Sequence, residues 1–308
     1  MGTNQTFERV KKLGEFIVSW AKKITLPFFD GVPLYDVAMF FWRSIVDGAI
    51  TTRASAIAFS FFMALFPGLI FIFTLIPYIP IQNFQNELFV IIKQLVPQGT
   101  FSTIETTLTD ILNQPRGNLL SFGFLAALIF STNGLAAMMS AFDATIHEID
   151  RRSWLSQRLA ATYLLIILSV LLTLAVALLT GGQKLIRYLD ANDIIRDDFL
   201  VYILTFGKWV ITIMMFFFAY SFLYYMAPAR KTKWRFISAG GSLATALSIL
   251  AFIGFTYYIN NFSQYNALYG SIGTLLIILL LMYVMSLILL IGFELNASIY
   301  QARSALDE

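Results

Sequence analysis

The chain has 308 residues, of which 58% are hydrophobic and only 13% are charged, and its formal net charge is +3. Soluble domains usually carry about 25% charged residues, so this composition excludes an ordinary water-soluble globule. The absence of cysteine excludes disulfides, thiolate metal sites and cysteine nucleophiles.

The first 53 residues precede the first long apolar run and carry seven lysine or arginine residues. Apolar residues recur at helical spacing through residues 5–25, with basic residues between them, which is typical of an amphipathic helix on a membrane surface. The pattern returns around residues 35–45 and predicts a second helix in the membrane plane. We therefore assign residues 1–53 to amphipathic membrane-surface helices.

Six long apolar stretches follow, and Lys208 is the only charged residue inside them. Each stretch exceeds the ~20 residues that an α-helix needs to cross ~30 Å of hydrocarbon. We therefore predict an all-α polytopic membrane protein whose transmembrane domain covers residues 54–300. The six predicted spans are 54–79, 119–142, 159–180, 199–226, 236–259 and 268–293.

Pro67 lies near the middle of the first span, where it removes a backbone hydrogen-bond donor. Two interpretations are open. The helix is either broken and lines a cavity, as in transporters, or continuous with an ordinary kink packed against its neighbours.

Residues 80–118 form the longest connection outside the spans, and their apolar residues again recur at helical spacing. Pro97 and Gly99 divide this amphipathic segment into two predicted short helices. These helices either rest on the outer membrane surface, which we favour, or fold over the bundle as a lid.

The second span carries a polar group near its middle, formed by Ser131, Thr132, Asn133 and Gly134. An asparagine in hydrocarbon is costly unless it is paired, so Asn133 is expected to face another helix or a polar cavity. Asp143 follows at the predicted inner end of the same span. His147, the only histidine, could relay protons there, although a hydrated position is the simpler interpretation.

The last span begins near Tyr269 and Ser271 and ends near Glu294 and Asn296. A carboxylate at the end of a long apolar helix needs a partner, and Arg53 is the candidate for an ion pair. Small residues at the start of the fifth span, including Gly240, predict close packing between helices.

Lysine and arginine residues are unevenly divided between the two sides of the predicted bundle. The segments on the side of the termini carry 15, and those on the opposite side carry five. The positive-inside rule therefore places both termini in the cytoplasm, including the short tail 301–308. Because the basic residues are spread among loops, anionic lipid headgroups are the expected partner and no nucleic acid is expected.

Several motifs resemble the YihY/BrkB family of bacterial inner-membrane proteins over roughly residues 35–300. The most specific are Tyr-Gly-Ser-Ile-Gly at 269–273 and Gly-Phe-Glu-Leu-Asn-Ala at 292–297. Ser-Thr-Asn-Gly at 131–134 also carries the resemblance. In the last motif Thr132 lengthens what looks like a Ser-Asn-Gly pattern. The resemblance implies six spanning helices, a cytoplasmic N-terminus and the inner membrane, and it is linked to both ribonuclease and transporter descriptions.

A transport protein for a lipid-like or amphiphilic molecule is the favoured function, because polar residues and a helix breaker lie at membrane depth. No His or acidic cluster with metal-ligand spacing supports a nuclease, so no enzyme, cofactor or metal is expected. An envelope scaffold and a cation/proton exchanger are the alternatives, and a homo-oligomer is left open. The candidate cavity-lining residues are Pro67, Ser131, Asn133, Asp143, Tyr269, Ser271, Glu294 and Asn296.

Overall fold

The computed structural model describes residues 19–26, 28–78, 116–145, 152–191, 198–229, 236–261 and 263–307. Regular structure in these ranges is helical, apart from one isolated bridge between Thr25 and Pro33. The helices are α1 (Leu34–Asp47), α2 (Ile50–Leu75), α3 (Gly117–Thr145), α4 (Trp154–Ala191), α5 (Asp198–Met226), α6 (Ala239–Asn261) and α7 (Ser263–Asp307).

Helices α2 to α7 are each long and apolar enough to cross a membrane, which confirms the predicted number of six candidate spans. Most of the predicted amphipathic helix at residues 5–25 and of the outer segment at 80–118 lies outside the described residues. The in-plane helix predicted around residues 35–45 corresponds to α1, whose place relative to a membrane remains a prediction.

Two helices are longer than the apolar runs that predicted them. Helix α4 has 38 residues, and α7 has 45, which gives about 57 Å and about 67 Å at ~1.5 Å per residue. The apolar run indicates only the part of each helix that fits within the hydrocarbon layer, and the helix can continue beyond it. No proline or glycine follows Gly292 in α7, so nothing in the sequence stops the helix there.

Helix α2 runs without interruption from Ile50 to Leu75 and includes Pro67. The interpretation of Pro67 as the site of a broken helix is therefore wrong. Proline removes one backbone hydrogen bond, and the bonds on both sides of it hold the helix together. The α-helix ends instead at Leu75, and a short 3₁₀ turn over Ile76–Tyr78 follows. Pro77 disfavours the α conformation of the residue before it, Ile76.

The chain divides into two compact units, which are described separately. The terminal unit contains both chain ends and comprises Met1–Arg53, Met139–Leu250 and Leu287–Glu308. The central unit comprises Ala54–Met138 and Ala251–Ser286.

Aromatic packing holds three helices together in the terminal unit. Phe142 of α3 and Phe293 of α7 are completely buried and stack in parallel, with ring centroids 3.9 Å apart. Tyr224 of α5 packs edge-on against both rings, and its hydroxyl donates a 2.8 Å hydrogen bond to the Leu289 carbonyl.

Helices α6 and α7 also touch through their backbones in the terminal unit. A Cβ atom on Gly240 would lie 1.9 Å from the Gly292 carbonyl oxygen, so only glycine fits at this crossing. This is the close packing that the small residues of the fifth span predicted.

Helices α2 and α3 approach each other closely in the central unit. A Cβ atom on Gly123 would lie 3.0 Å from the backbone nitrogen of Phe71, and one on Gly134 would lie 2.9 Å from the Phe61 ring. Large apolar side chains such as Phe59 and Phe122 are exposed, as expected for surfaces that face lipid.

Candidate functional site

The most polar buried group in the described part of the chain surrounds Glu294 in the terminal unit. The Glu294 side chain is 0% exposed and the Arg53 side chain is 14% exposed. The Arg53 Nη2 atom lies 2.6 Å from Glu294 Oε1. The structure thus forms the ion pair that the sequence suggested between the first and last spans.

Two hydroxyl side chains complete the coordination of Glu294. Thr145 Oγ1 donates to Glu294 Oε1 at 2.8 Å, and Ser44 Oγ donates to Oε2. Arg53 Nη1 donates to Thr145 Oγ1 at 2.6 Å and to the Ala141 carbonyl at 2.8 Å. We call Ser44, Arg53, Thr145 and Glu294 the carboxylate cluster.

The carboxylate cluster joins four elements: the end of α1, the start of α2, the end of α3 and the second half of α7. A charge taken out of water is costly unless it is paired and its remaining hydrogen-bonding groups are satisfied. The Glu294 carboxylate meets both conditions and has no exposed surface. Its contacts with Ser44, Arg53 and Thr145 hold these four elements together.

Asp143 takes part in a different polar contact of the terminal unit. Its Oδ1 atom accepts a 2.9 Å hydrogen bond from the Ala229 backbone N–H. Arg152 donates to the carbonyls of Ala227 at 3.0 Å and of Pro228 at 2.8 Å. Together the two side chains fix the chain just after the C-terminus of α5, where free carbonyls favour a cation.

Asn296 completes the N-terminus of α6. Its Oδ1 atom accepts the Gly240 backbone N–H at 2.8 Å, and its Nδ2 atom donates to Ser238 Oγ at 3.0 Å. Ser238 Oγ also accepts the Gly241 N–H at 3.2 Å, as an N-cap residue does. The polar atoms of Asn296 are thus used in joining α6 to α7.

The remaining candidates belong to the central unit. Pro67, Ser131 and Asn133 are each half-buried. Among the residues that the structure describes, no hydrogen bond of the Asn133 amide is found. Tyr269 and Ser271 lie on the helical backbone of α7, and their side chains fall outside the described part of the structure, as does all of His147.

The candidates are therefore divided between the units. Glu294, Asp143 and Asn296 make three separate sets of contacts in the terminal unit, while Pro67, Ser131 and Asn133 lie in the central unit. In the described ranges, no three His, Asp or Glu side chains are grouped so that they could hold a metal ion.

Sequence reasoning missed Ser44, Thr145 and Arg152 as site residues. Hydroxyl side chains are frequent in spanning helices, where they usually bond the carbonyl four residues earlier. The presence of a serine or threonine therefore does not indicate which distant side chain it contacts. A signal for Ser44 existed: it lies on the same face of α1 as Val37, which is buried.

The family described as Virulence factor BrkB matches residues 41–308 of the chain. The ribonuclease-like protein YfkH of Bacillus subtilis is 29% identical over 258 residues, which are 83% of this chain and 92% of that protein. A UPF0761 membrane protein of Idiomarina loihiensis is 28% identical over 222 residues, 71% of this chain and 72% of the relative. A UPF0761 membrane protein of Xanthomonas oryzae is 25% identical over 297 residues, 94% of this chain and 65% of the relative.

No solved structure shows a significant match to the chain. The family match covers most of the sequence and includes the carboxylate cluster, and it agrees with the six helices that are apolar enough to span a membrane. The chain therefore belongs to the BrkB family and is a multi-pass membrane protein.

Proposed function

We propose that the protein is a transporter of the bacterial cytoplasmic membrane that moves a lipid-like, amphiphilic molecule between the leaflets. Membrane lipids are its expected partners, no cofactor is required, and both termini are proposed to face the cytoplasm. A homo-oligomer is compatible with this function.

Asn133 carries the proposal. It lies near the middle of α3, which extends from Gly117 to Thr145, and it is half-buried without a hydrogen bond to any described residue. An unpaired amide in hydrocarbon costs several kcal/mol, so such a group is expected to border water or a polar ligand. Half-buried Ser131 is two residues away and adds a second polar group at this depth.

The carboxylate cluster favours lipid movement over cation/proton exchange. A proton relay needs a carboxylate that water or an ion can reach. Glu294 is enclosed by Arg53, Thr145 and Ser44 and has no exposed surface. A non-transporting envelope scaffold is the remaining alternative, and it predicts that the protein does not accelerate lipid movement.

The name of the Bacillus relative suggests a competing activity on RNA. We give it less weight because the chain has a single histidine, and no acidic cluster with metal-ligand spacing lies outside the spans. No catalytic step is part of the proposed function.

The test measures transbilayer movement of fluorescent phospholipid in liposomes that contain the purified full-length protein. We expect faster movement than in protein-free liposomes, and a loss of most of that acceleration with Asn133→Leu. Asn118→Leu is the matched control, because Asn118 is exposed at the start of the same helix. We expect this variant to move lipid as fast as the wild type.

Equal rates in liposomes with and without protein would refute lipid movement. Equal activity of the wild type and Asn133→Leu would refute the role of Asn133. Size-exclusion profiles of both variants establish that each is folded. A loss of activity in Asn133→Leu then reports on lipid movement and not on misfolding.

A further inference from the structure

Helix α1 has two opposite faces in the terminal unit. The inner face carries Leu34, Val37 and Phe40, which pack in a small core with Ile299 and Ala302 of α7. Ser44 lies on the same face and donates to Glu294. Because these contacts fix the rotation of α1, its other face cannot turn inward.

The opposite face is apolar and exposed. Met39 is 58% exposed, Trp42 69% and Val46 61%. These positions, together with exposed Arg43, follow the i, i+3, i+4, i+7 spacing of one helical face. We call Met39, Trp42, Arg43 and Val46 the α1 stripe.

Helix α1 is bound closely to the first spanning helix. Only Gly48 and Ala49 separate Asp47 from Ile50, and the Gly48 N–H is bonded to the Ser44 carbonyl at 2.9 Å. Ala49 has a positive φ of 46°, which turns the chain sharply. The end of α1 therefore lies at the end of a membrane-spanning helix, where hydrocarbon meets headgroups.

The preceding segment adds exposed residues of the same chemistry. Trp20 and Phe28 are exposed apolar side chains, and Lys22 and Lys23 are exposed cations. The Leu34 N–H donates to the Ile24 carbonyl at 2.8 Å, and Lys22 Nζ lies 5.1 Å from the centre of the Tyr35 ring. These contacts hold the segment against the start of α1.

We propose that the α1 stripe binds the bilayer surface directly, with Trp42, Met39 and Val46 inserted among the acyl chains and Arg43 at anionic phospholipid headgroups. Tryptophan and aliphatic side chains beside basic residues are the chemistry of helices that lie in a membrane interface. An arginine at a membrane interface can extend its guanidinium to a phosphate while its stem lies in the apolar layer. This inference depends on the membrane location proposed above and not on transport.

The absence of cysteine allows a direct test of depth in the full-length protein. Single cysteines replace Met39 or Val46 and carry a nitroxide spin label in liposomes of phosphatidylglycerol and phosphatidylcholine. We expect high accessibility to oxygen and low accessibility to a water-soluble nickel complex. Ser304→Cys, on the exposed end of α7, is the control and should show the opposite.

Two outcomes would overturn the proposal. Labels at 39 and 46 that are as accessible to nickel as the label at 304 would place the stripe in water. Labels that neither reagent reaches would place it against protein, such as a second copy of the chain. Either result leaves the transport assay unaffected, so the two proposals fail separately.

The headgroup preference has its own measurement. A fluorophore on Val46→Cys should be quenched more strongly by doxyl-labelled phosphatidylglycerol than by doxyl-labelled phosphatidylcholine. Removing one basic side chain near an anionic surface costs about 1 kcal/mol, so Arg43→Gln should reduce the local preference about fivefold. Arg303→Gln is the control and should leave the preference unchanged; an unchanged preference in Arg43→Gln would refute the headgroup contact.

Discussion

Arg53 is expected to contribute more to stability than any exposed arginine of the chain. Arg53→Gln would leave the buried Glu294 carboxylate without its cation, and breaking a buried pair in this way typically costs about 3–5 kcal/mol. We expect thermal unfolding in detergent, followed by tryptophan fluorescence, to show a melting temperature several degrees lower.

Arg303→Gln is the matched control, because Arg303 forms an exposed pair with Asp30 at 3.6 Å. Exposed pairs contribute about 0–1 kcal/mol, so this variant should melt close to the wild type. Replacing both Arg53 and Glu294 by methionine should recover much of the loss, since it removes the uncompensated charge. Equal melting temperatures for Arg53→Gln and Arg303→Gln would contradict a structural role for the cluster.

At the scale of single residues, the sequence predicted the ion pair of Arg53 with Glu294 but not the whole carboxylate cluster. Two opposite charges beside long apolar runs are costly alone, which makes Arg53 and Glu294 natural partners. Ser44 and Thr145 carry no such cost, because a hydroxyl can bond its own helix. Which hydroxyls reach Glu294 depends on how four distant segments pack.

At the scale of helices, the contact of α6 with α7 depends on one position, Gly240, where no side chain fits. A Cβ atom on Gly240 would lie 1.9 Å from the Gly292 carbonyl oxygen, whereas one on Gly254, in the same helix, would meet nothing within 4 Å. Gly240→Ala should therefore separate the helices and also disturb the bond from the Gly240 N–H to Asn296. We expect a destabilisation of about 2 kcal/mol or more, the range of overpacked cores.

Gly254→Ala introduces the same methyl group without a clash. Alanine is favoured over glycine in a helix by about 1 kcal/mol, so this variant should be neutral or slightly stabilised. Thermal unfolding of the two variants under identical conditions compares the sites directly. Comparable melting temperatures would show that the crossing is not tightly packed.

Element boundaries show why the sequence predicts some helices better than others. Hydropathy is a sum over residues, so six long apolar runs identify six spans irrespective of their neighbours. The course of the chain at Pro67 depends instead on whether the bonds beside the proline persist, which composition does not reveal. The length of α7 likewise follows from the absence of a stop signal after Gly292 and not from hydropathy. Helix α4 continues through Gly181 and Gly182, which the sequence alone would have read as a stop.

For the molecule as a whole, contacts within the terminal unit connect helix ends that an alternating path would bring to one side. The end of α3 meets the chain after α5 through Asp143 and Ala229, and the start of α6 meets α7 through Asn296. The start of α2 meets the end of α3 and Glu294 of α7 in the carboxylate cluster. If each of the six helices crosses the membrane once, we expect the C-terminus on the same side as the N-terminus.

That shared side is the one with most of the lysine and arginine residues, so the positive-inside rule predicts that it faces the cytoplasm. Single cysteines at Ser153 and Ser304 should then react with a membrane-impermeant maleimide only in inside-out vesicles. A cysteine at Asn118, exposed at the opposite end of α3, should react only in right-side-out vesicles. Since the natural chain contains no cysteine, every signal comes from the introduced residue. The reverse labelling pattern would show that the termini face away from the cytoplasm. Labelling of the cysteines at 118 and 304 from the same side would contradict the alternating path of the six helices.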